Sequence, residues 1–531
     1  MKVALVHPPI TLTNPKRLPQ VQPPLGIAYL AACLRAHAHD VQVVDGLGEG
    51  IGRYSRFRED YYIHGLPIKE IVDRIDRDTR VIGIGVMFSN FWPLSKVLIG
   101  ELRTRFPDAI IVCGGEHVSA LPEFVLRDAP VDYAVVGEGE ETFLELLAYL
   151  DEPAATGTPE HVAGIAYRAC DGTITRTTPR RRRRKLDELP WPAWDMFPLE
   201  KYLDARLFFS MPFEGSQRPM VILATRGCPY TCKFCSNEQM WGTSFFMRDP
   251  CCVVDEMEHY VRTYRATDFH FQDLTLVINA RWVGRLCDEI IRRGLRITWK
   301  TASGTRSEAL DLELLEKMQR SGCDEILLAP DSGSTDIIEI NRKRVDLDKV
   351  LAVARLVRDH DVAMRLTGLM IVGYPEETLR DVLRTCRYLV EMARAGFSTV
   401  YVNRFTAYPG SEYHDLAVKD GRIVHDDRYF LDLERNFGLL NSGVSWHPRW
   451  SGRFVLLLWA IAYATFFGAF YLGKPSEAVR GLAAVLRNRP RTRFERFFAF
   501  LLWQPLRERR RFGGATGSLS SGTAPAPETS A

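Results

Sequence analysis

"RGCPYTCKFCSNEQMWG", Arg226 to Gly242, sets Cys228, Cys232 and Cys235 in one loop with the spacing C-x-x-x-C-x-x-C. It directly follows "MVILAT", Met220 to Thr225, an apolar run that reads as a strand, and it precedes "CVVDEMEHYVRTY", which reads as a helix. The same alternation then repeats about six times: "DFHFQD", "ARWVGRLCDEIIRRG", "ITWKTAS", "LDLELLEKMQRSG", "EILLAPDSG", "LDKVLAVARLVRDH", "AMRLTGLMIVG", "TLRDVLRTCRYLVEMA", "TVYVNRFTAY". Six β/α units fall short of eight, so residues 216–430 read as a partial parallel barrel. In such barrels chemistry sits at the carboxyl ends of the strands, which is where the cysteine loop falls.

Upstream, residues 1–150 alternate in the same way, from "KVALVHPP" through "VIGIGVMF" and "AIIVCGG" to "ETFLELLAYL". Continuous apolar strands between amphipathic helices imply a parallel sheet covered on both faces, a doubly wound domain. Residues 151–215 read as a linker with a hairpin at "GIAYRACDGTITR", a solvated run Arg180 to Arg184, and the Pro/Trp-rich "LDELPWPAWDMFP". Residues 431–512 read as a helical C-terminal extension, and 513–531 as a disordered tail. The fold class is therefore α/β with a helical extension.

The chain has 531 residues, 46% hydrophobic, and a net charge of only +3, so no global field points to a nucleic-acid partner. Its eleven cysteines are diluted over a long chain, unlike a disulfide scaffold. "MKVALVHPPI" lacks the long apolar core of a signal peptide. A reducing cytoplasm is the expected setting. "FVLLLWAIAYATFFGAFYL", Phe454 to Leu472, is an uncharged run of 19 residues near the length needed to span a bilayer. Packing on the barrel is the first reading. Peripheral contact with the inner membrane face, helped by the Arg/Phe-rich stretch after it, is the second, and a true span of the bilayer the third.

Three thiols so close need an explanation. A structural zinc site wants four ligands, and the adjacent pair Cys251 and Cys252 lacks the spacing to complete one. A four-iron cluster takes one ligand per iron. Three thiolates then leave one iron open, and an open iron can hold a chelating small molecule.

The loop, with Phe234 before its last cysteine, resembles the radical S-adenosylmethionine (SAM) superfamily. The resemblance implies that Cys228, Cys232 and Cys235 hold a [4Fe–4S] cluster and that SAM chelates the open iron. It also implies reductive cleavage of SAM to a 5′-deoxyadenosyl radical. Later stretches are similar in order. "FHFQDLTLVIN" offers Asp273, "APDSGS" offers Asp331, where a glutamate is usual, followed by Ser332, "TGLMIVGYPEET" carries Glu376 where glycine is common, and "FTAYPGSEYH" closes the set. With Phe234, the residues Asp273, Asp331 and Ser332 are the implied SAM contacts.

The first domain lacks G-x-G-x-x-G after its first strand, which argues against a dinucleotide. "HPP", "QPPLGIAYLAACLR", "CGGEHVSALPE" and "VVGEGEET" instead resemble the cobalamin-binding domain fused to one branch of radical SAM enzymes. Ser89, Gly114, Gly115, Glu138, Gly139 and Glu140 are the implied cobalamin contacts. The D-x-H-x-x-G loop that supplies a cobalt ligand in many such domains is absent, and His7 and His117 are read as loop residues. A relic domain that binds no cobalamin is the competing reading. The resemblance implies C-methylation of an unactivated carbon on a hydrophobic small molecule, fed by an external one-electron donor such as flavodoxin or ferredoxin. Oxidative cyclisation or rearrangement is the alternative chemistry, and a non-catalytic cobalamin or redox sensor the alternative class.

Overall fold

The computed structural model describes residues 1–13, 21–58, 60–151, 158–205, 217–437, 443–487 and the short stretches 494–495, 498–499 and 502–503. The tail expected at 513–531 lies outside the described residues. The chain forms two compact units, residues 1–470 and 471–531.

The first unit is built on two large sheets. Its amino-terminal part contains β1 (Lys2–His7), β2 (Ile10–Leu12), β3 (Asp40–Asp45), β4 (Tyr54–Arg58), β5 (Tyr61–His64), β6 (Val81–Gly85), β7 (Ile110–Gly114), β8 (Tyr133–Val135), β9 (Ile165–Arg168) and β10 (Ile174–Arg176). Seven of these make one sheet in the order β10-β9-β8-β7-β6-β1-β3. The five strands from β3 to β8 run parallel, and β9 and β10 extend the edge antiparallel. The hairpin read in the linker thus joins this sheet. Val3 to Val6, Ile82, Ile84, Ile111 and Cys113 are all buried, as strands covered on both faces must be. Strand order reverses beside β1, the position at which doubly wound sheets open a crevice. A small antiparallel sheet, β2-β5-β4, lies among the early strands and is not signalled by the sequence pattern.

The second part holds β11 (Pro219–Ile222), β12 (Thr225–Arg226), β13 (Phe246–Met247), β14 (Asp268–Phe271), β15 (Thr298–Thr301), β16 (Cys323–Asp331), β17 (Arg365–Val372) and β18 (Thr399–Arg404). Six of them form a parallel sheet in simple sequence order, β11-β14-β15-β16-β17-β18. This is the expected partial barrel. Helices alternate with the strands because each carries an apolar stripe and a start signal. Asp249, for example, accepts the Cys251 N–H to cap Pro250–Tyr264, a cap worth about 1 kcal/mol. Near the amino ends of the strands, buried Lys300 sits 3.0 Å from Asp268 and 3.4 Å from Asp324, and His270 lies 2.8 Å from Asp268. Every charge there has a partner, the condition for burying it.

β18 is an edge strand. The helix Gly452–Gly473, which contains the long apolar run, lies along it. The Val402 N–H donates to the Tyr463 hydroxyl at 3.1 Å, and Trp459 Nε1–H donates to the Val402 carbonyl at 2.7 Å. By length and composition alone this helix could cross a membrane. Its packing on β18 accords with the first reading, yet Leu457 and Ile461 stay exposed at 53% and 42%. In the second unit, the helix Pro475–Leu486 exposes Val479, Leu482 and Leu486.

Candidate functional site

The cysteine loop leaves the carboxyl end of β11 and is clamped at its base. β12 and β13 pair antiparallel across it. The buried Asp273 carboxylate, just past β14, accepts from Ala224 N at 3.2 Å, from Thr225 N, and from Thr225 Oγ1 at 2.6 Å. Burial pushes Asp273 up to about 6, against the pull of these hydrogen bonds. Asp273 therefore sets the start of the loop, and its side chain is spent on that task. Gly227 turns the chain with φ +95°, and a Cβ there would meet the Ser244 carbonyl oxygen at 2.0 Å. Only glycine fits.

Burial raises the thiols of Cys228 and Cys232, while Lys343 and Arg306 draw them down. Cys235 is exposed, yet neighbouring protein crowds it enough to push its thiol up to about 12. Among the described residues, no three His, Cys, Asp or Glu side chains converge on one metal-ion position. A four-iron cube takes its thiolates on separate irons, so thiols spread around one loop and faced by two cations fit the cluster better than a single ion. All eleven cysteines are free.

Asp331 ends β16 at a register break and holds a left-handed φ of +62°. Such a bulge re-aims a side chain. Buried Asp331 pairs with Lys343, whose ammonium also lies 5.7 Å from the Phe234 ring. Phe234 packs edge-on to Tyr374 at 5.9 Å. Ser332 is buried, its hydroxyl 3.3 Å from Thr385 Oγ1 and accepting from Ser334 N, so it stiffens the turn. Arg306, buried to 6% exposure, stacks on the Tyr230 ring at 3.6 Å and bonds the Arg344 carbonyl. Its Nη2 has no hydrogen-bond partner among the described residues. A buried guanidinium nitrogen left unmatched beside the thiols is a ready seat for a carboxylate. Sequence reading missed Arg306 and Lys343. For Arg306 the available signal was a basic residue in the loop after a barrel strand, Thr298–Thr301; Lys343 lies beyond the helix Thr335–Ile340 and carried no such signal.

On the neighbouring sheet, Ser89, Gly114 and Gly115 gather at the carboxyl ends of β6 and β7. Gly115 has φ +118°, and a Cβ there would strike the Val86 carbonyl oxygen at 2.4 Å. Ser89 Oγ lies 3.0 Å from His117 Nδ1. Burial pushes His117 down to about 3. Met87 and Phe88, just past β6, are 45% and 57% exposed. An apolar, side-chain-poor floor at the sheet's crevice suits a flat macrocycle such as a corrin. Glu138 and Glu140 are placed differently from the sequence expectation. Arg226 donates to Glu138 at 3.0 Å and to Glu140 at 2.6 Å, and Arg182 donates to Glu138 at 2.7 Å. Cations on the cluster loop and the linker have taken the carboxylates; Gly139 opens the helix between them.

The arginine run is likewise no solvated stretch. Arg180 bonds Glu145 at 3.0 Å, and Arg183 bonds Glu141 at 2.5 Å and Glu188 at 3.0 Å. Arg182 lies over the Trp241 ring at 5.0 Å. Arg181 and Arg184 remain exposed.

These two sites match two family models, the B12 binding domain over residues 16–147 and the Radical SAM superfamily over residues 222–389. The chain is a radical SAM enzyme. It belongs to the branch with an amino-terminal B12-binding domain, and its cofactors are a [4Fe–4S] cluster, SAM and cobalamin.

The chain is 27% identical to the cytidylyl-2-hydroxyethylphosphonate methyltransferase of Streptomyces wedmorensis, over 84% of this chain and 86% of the relative. It is 26% identical to an uncharacterized methyltransferase, PH0819, of Pyrococcus horikoshii, over 80% and 84%. It is also 26% identical to the anaerobic magnesium-protoporphyrin IX monomethyl ester cyclase of Rubrivivax gelatinosus, over 72% and 65%. In fold it is similar to the methyltransferase TsrM of Kitasatospora setae, with TM-score 0.62, 17% identity, and 88% of each chain covered. It is similar as well to the cobalamin-dependent enzyme OxsB, with TM-score 0.65, 15% identity, and 97% and 82% covered.

Proposed function

We propose that this enzyme C-methylates an unactivated carbon of a hydrophobic small molecule. The observation that carries the reading is the meeting of the two cofactor loops. Glu116, the residue after Gly115, accepts a hydrogen bond from Ser236, the residue after Cys235. A substrate carbon held there would face both cofactors at once, which is the arrangement methyl transfer requires. When bound, the reduced cluster and SAM supply the hydrogen-abstracting radical, and cobalamin supplies the methyl group.

The chain's own residues do the positioning. Cys228, Cys232 and Cys235 hold the cluster. Arg306 Nη2 takes the carboxylate of SAM, Asp331 stands behind with Lys343, and Phe234 covers the adjoining face. Met87, Phe88, Gly114 and Gly115 form the cobalamin floor, with His117 steadying Ser89. Exposed Leu274 and half-buried Leu369 and Ile371, on or just after barrel strands, support an apolar substrate. Electrons come from an external flavodoxin- or ferredoxin-like carrier, in a reducing compartment that keeps the thiols free. Exposed Leu457 and Ile461 support peripheral membrane contact through the extension. Flotation with anionic vesicles, wild type against Leu457→Glu/Ile461→Glu, tests it; equal flotation retires the contact.

The test of the main reading is anaerobic. The protein is reconstituted with iron, sulfide and hydroxocobalamin and given SAM, a strong reductant and lysate of the source cell. 5′-Deoxyadenosine and S-adenosylhomocysteine are then quantified together. Both are expected. Deoxyadenosine alone would replace methylation by cyclisation, the chemistry in the name of the cyclase relative, or by rearrangement.

A further inference from the structure

The ion pairs between the sheets raise a question the fold does not answer. Arg226 lies two residues before Cys228 and is 6% exposed, and Glu138 and Glu140, on the other sheet's last loop, are 9% and 8% exposed. One guanidinium spans both carboxylates, at 3.0 and 2.6 Å. The same guanidinium lies 5.1 Å from the Tyr29 ring, and Arg182 reaches the far oxygen of Glu138. A desolvated ion cluster is a poor source of stability, since well-packed apolar side chains would serve as well. What it supplies is direction: a planar fork accepts its carboxylates in one arrangement. On the other side of the loop, beyond Cys235, Ser236 bonds Glu116. The cysteine loop is thus tied to the cobalamin sheet at both ends, and Glu116 is the residue directly after Gly115.

We propose that Arg226 with Glu138 and Glu140, together with Ser236 and Glu116, form a two-point brace that fixes the separation of cluster and cobalamin. These are positioning residues; none needs to touch either cofactor. The proposal rests on both cofactors being bound and is indifferent to whether the reaction is methylation or cyclisation. A brace of this kind matters because a misplacement of about 1 Å can cost a catalyst about a hundredfold.

The experiment reads separation without substrate. Wild-type and variant proteins are loaded with cluster and cobalamin and reduced to the paramagnetic cluster and cob(II)alamin. The spin-relaxation enhancement of cobalt by the cluster is then measured by pulsed electron paramagnetic resonance. Iron, sulfide and cobalamin are counted in each sample. The double variant Glu138→Gln/Glu140→Gln should keep both cofactors, while its enhancement changes about twofold or spreads over a wider range, because dipolar relaxation falls with the sixth power of distance and a misplacement near 1 Å is the scale that matters to catalysis. Arg226→Lys should behave alike, because an ammonium cannot fork. Glu116→Gln, which still accepts from Ser236, should resemble wild type, whereas Glu116→Ala should shift. If the double variant fails to fold, Arg226→Lys and the Glu116 pair decide. Enhancement unchanged from wild type in loaded Arg226→Lys and Glu116→Ala would overturn the brace. Wild-type protein that takes up the cluster but no cobalamin would overturn both the brace and the two-cofactor reading.

Discussion

The two cofactor regions lie side by side, yet they are built on opposite terms. At the barrel mouth the protein leaves chemistry unfinished: three raised thiols, an unmatched Arg306 nitrogen, and an aspartate in a left-handed conformation. On the doubly wound sheet its carboxylates and Ser89 are matched within the protein, and exposed apolar side chains and a forced glycine turn remain. The first region offers side-chain ligands and charge. The second offers shape. A cofactor with an open iron needs donors; a large macrocycle that brings its own ligands needs a floor and a close approach.

The sharpest break in this contrast is Cys232→Ala. With two thiolates left the cluster should not persist, and SAM cleavage should vanish, read as lost iron and absent 5′-deoxyadenosine. Activity without that cysteine would refute the cluster assignment.

Protonation separates the regions next. Glu377, buried beyond β17, is pushed by burial up to about 7. The folded state then prefers its neutral form, so its contribution is full below pH 4.5 and falls as pH rises to 7, by about 3 kcal/mol. Glu377→Gln should stabilise the protein at pH 8 and change nothing at pH 4.5, as measured by thermal melting. His117, on the cobalamin side, is buried neutral, so stability falls as pH drops below 6.5, by about 2 kcal/mol at pH 5. His117→Asn, which keeps the partner of Ser89, should flatten that acid limb.

Arg306→Ala tests the charge-based region at one atom. Loss of a charged hydrogen bond of about 2 kcal/mol should weaken SAM binding about thirtyfold with iron content unchanged. Gly115→Ala tests the shape-based region. The forced φ and the clash with Val86 should destabilise the fold by about 2 kcal/mol and lower cobalamin retention, with SAM affinity intact.

Sequence reached the parts that repeat locally. Unbroken apolar runs such as "VIGIG" and "IIVCG" declare parallel strands buried on both faces, and the cysteine loop resembles a family whose cluster it implies. What escaped depends on partners far apart in the chain. Arg226 and Glu138 stand 88 positions apart, and no window that short can join them. The run Arg180 to Arg184 reads as solvated because its acids, Glu138, Glu141 and Glu145, belong to a different segment. Asp273 and Ser332 sit in matching motifs, but which way each side chain is spent is a tertiary fact. The sheet β2-β5-β4 was missed because its strands are short and partly polar.

The helix lying along β18 carries a practical warning. Its Trp459 and Tyr463 occupy the backbone groups that would otherwise be offered to the next strand to arrive. A protein trimmed before residue 452, in the hope of shedding greasy sequence and gaining solubility, would bare an unpaired β edge. Such edges recruit one another. The apolar helix is thus a guard against aggregation, and its removal should make the protein prone to self-association.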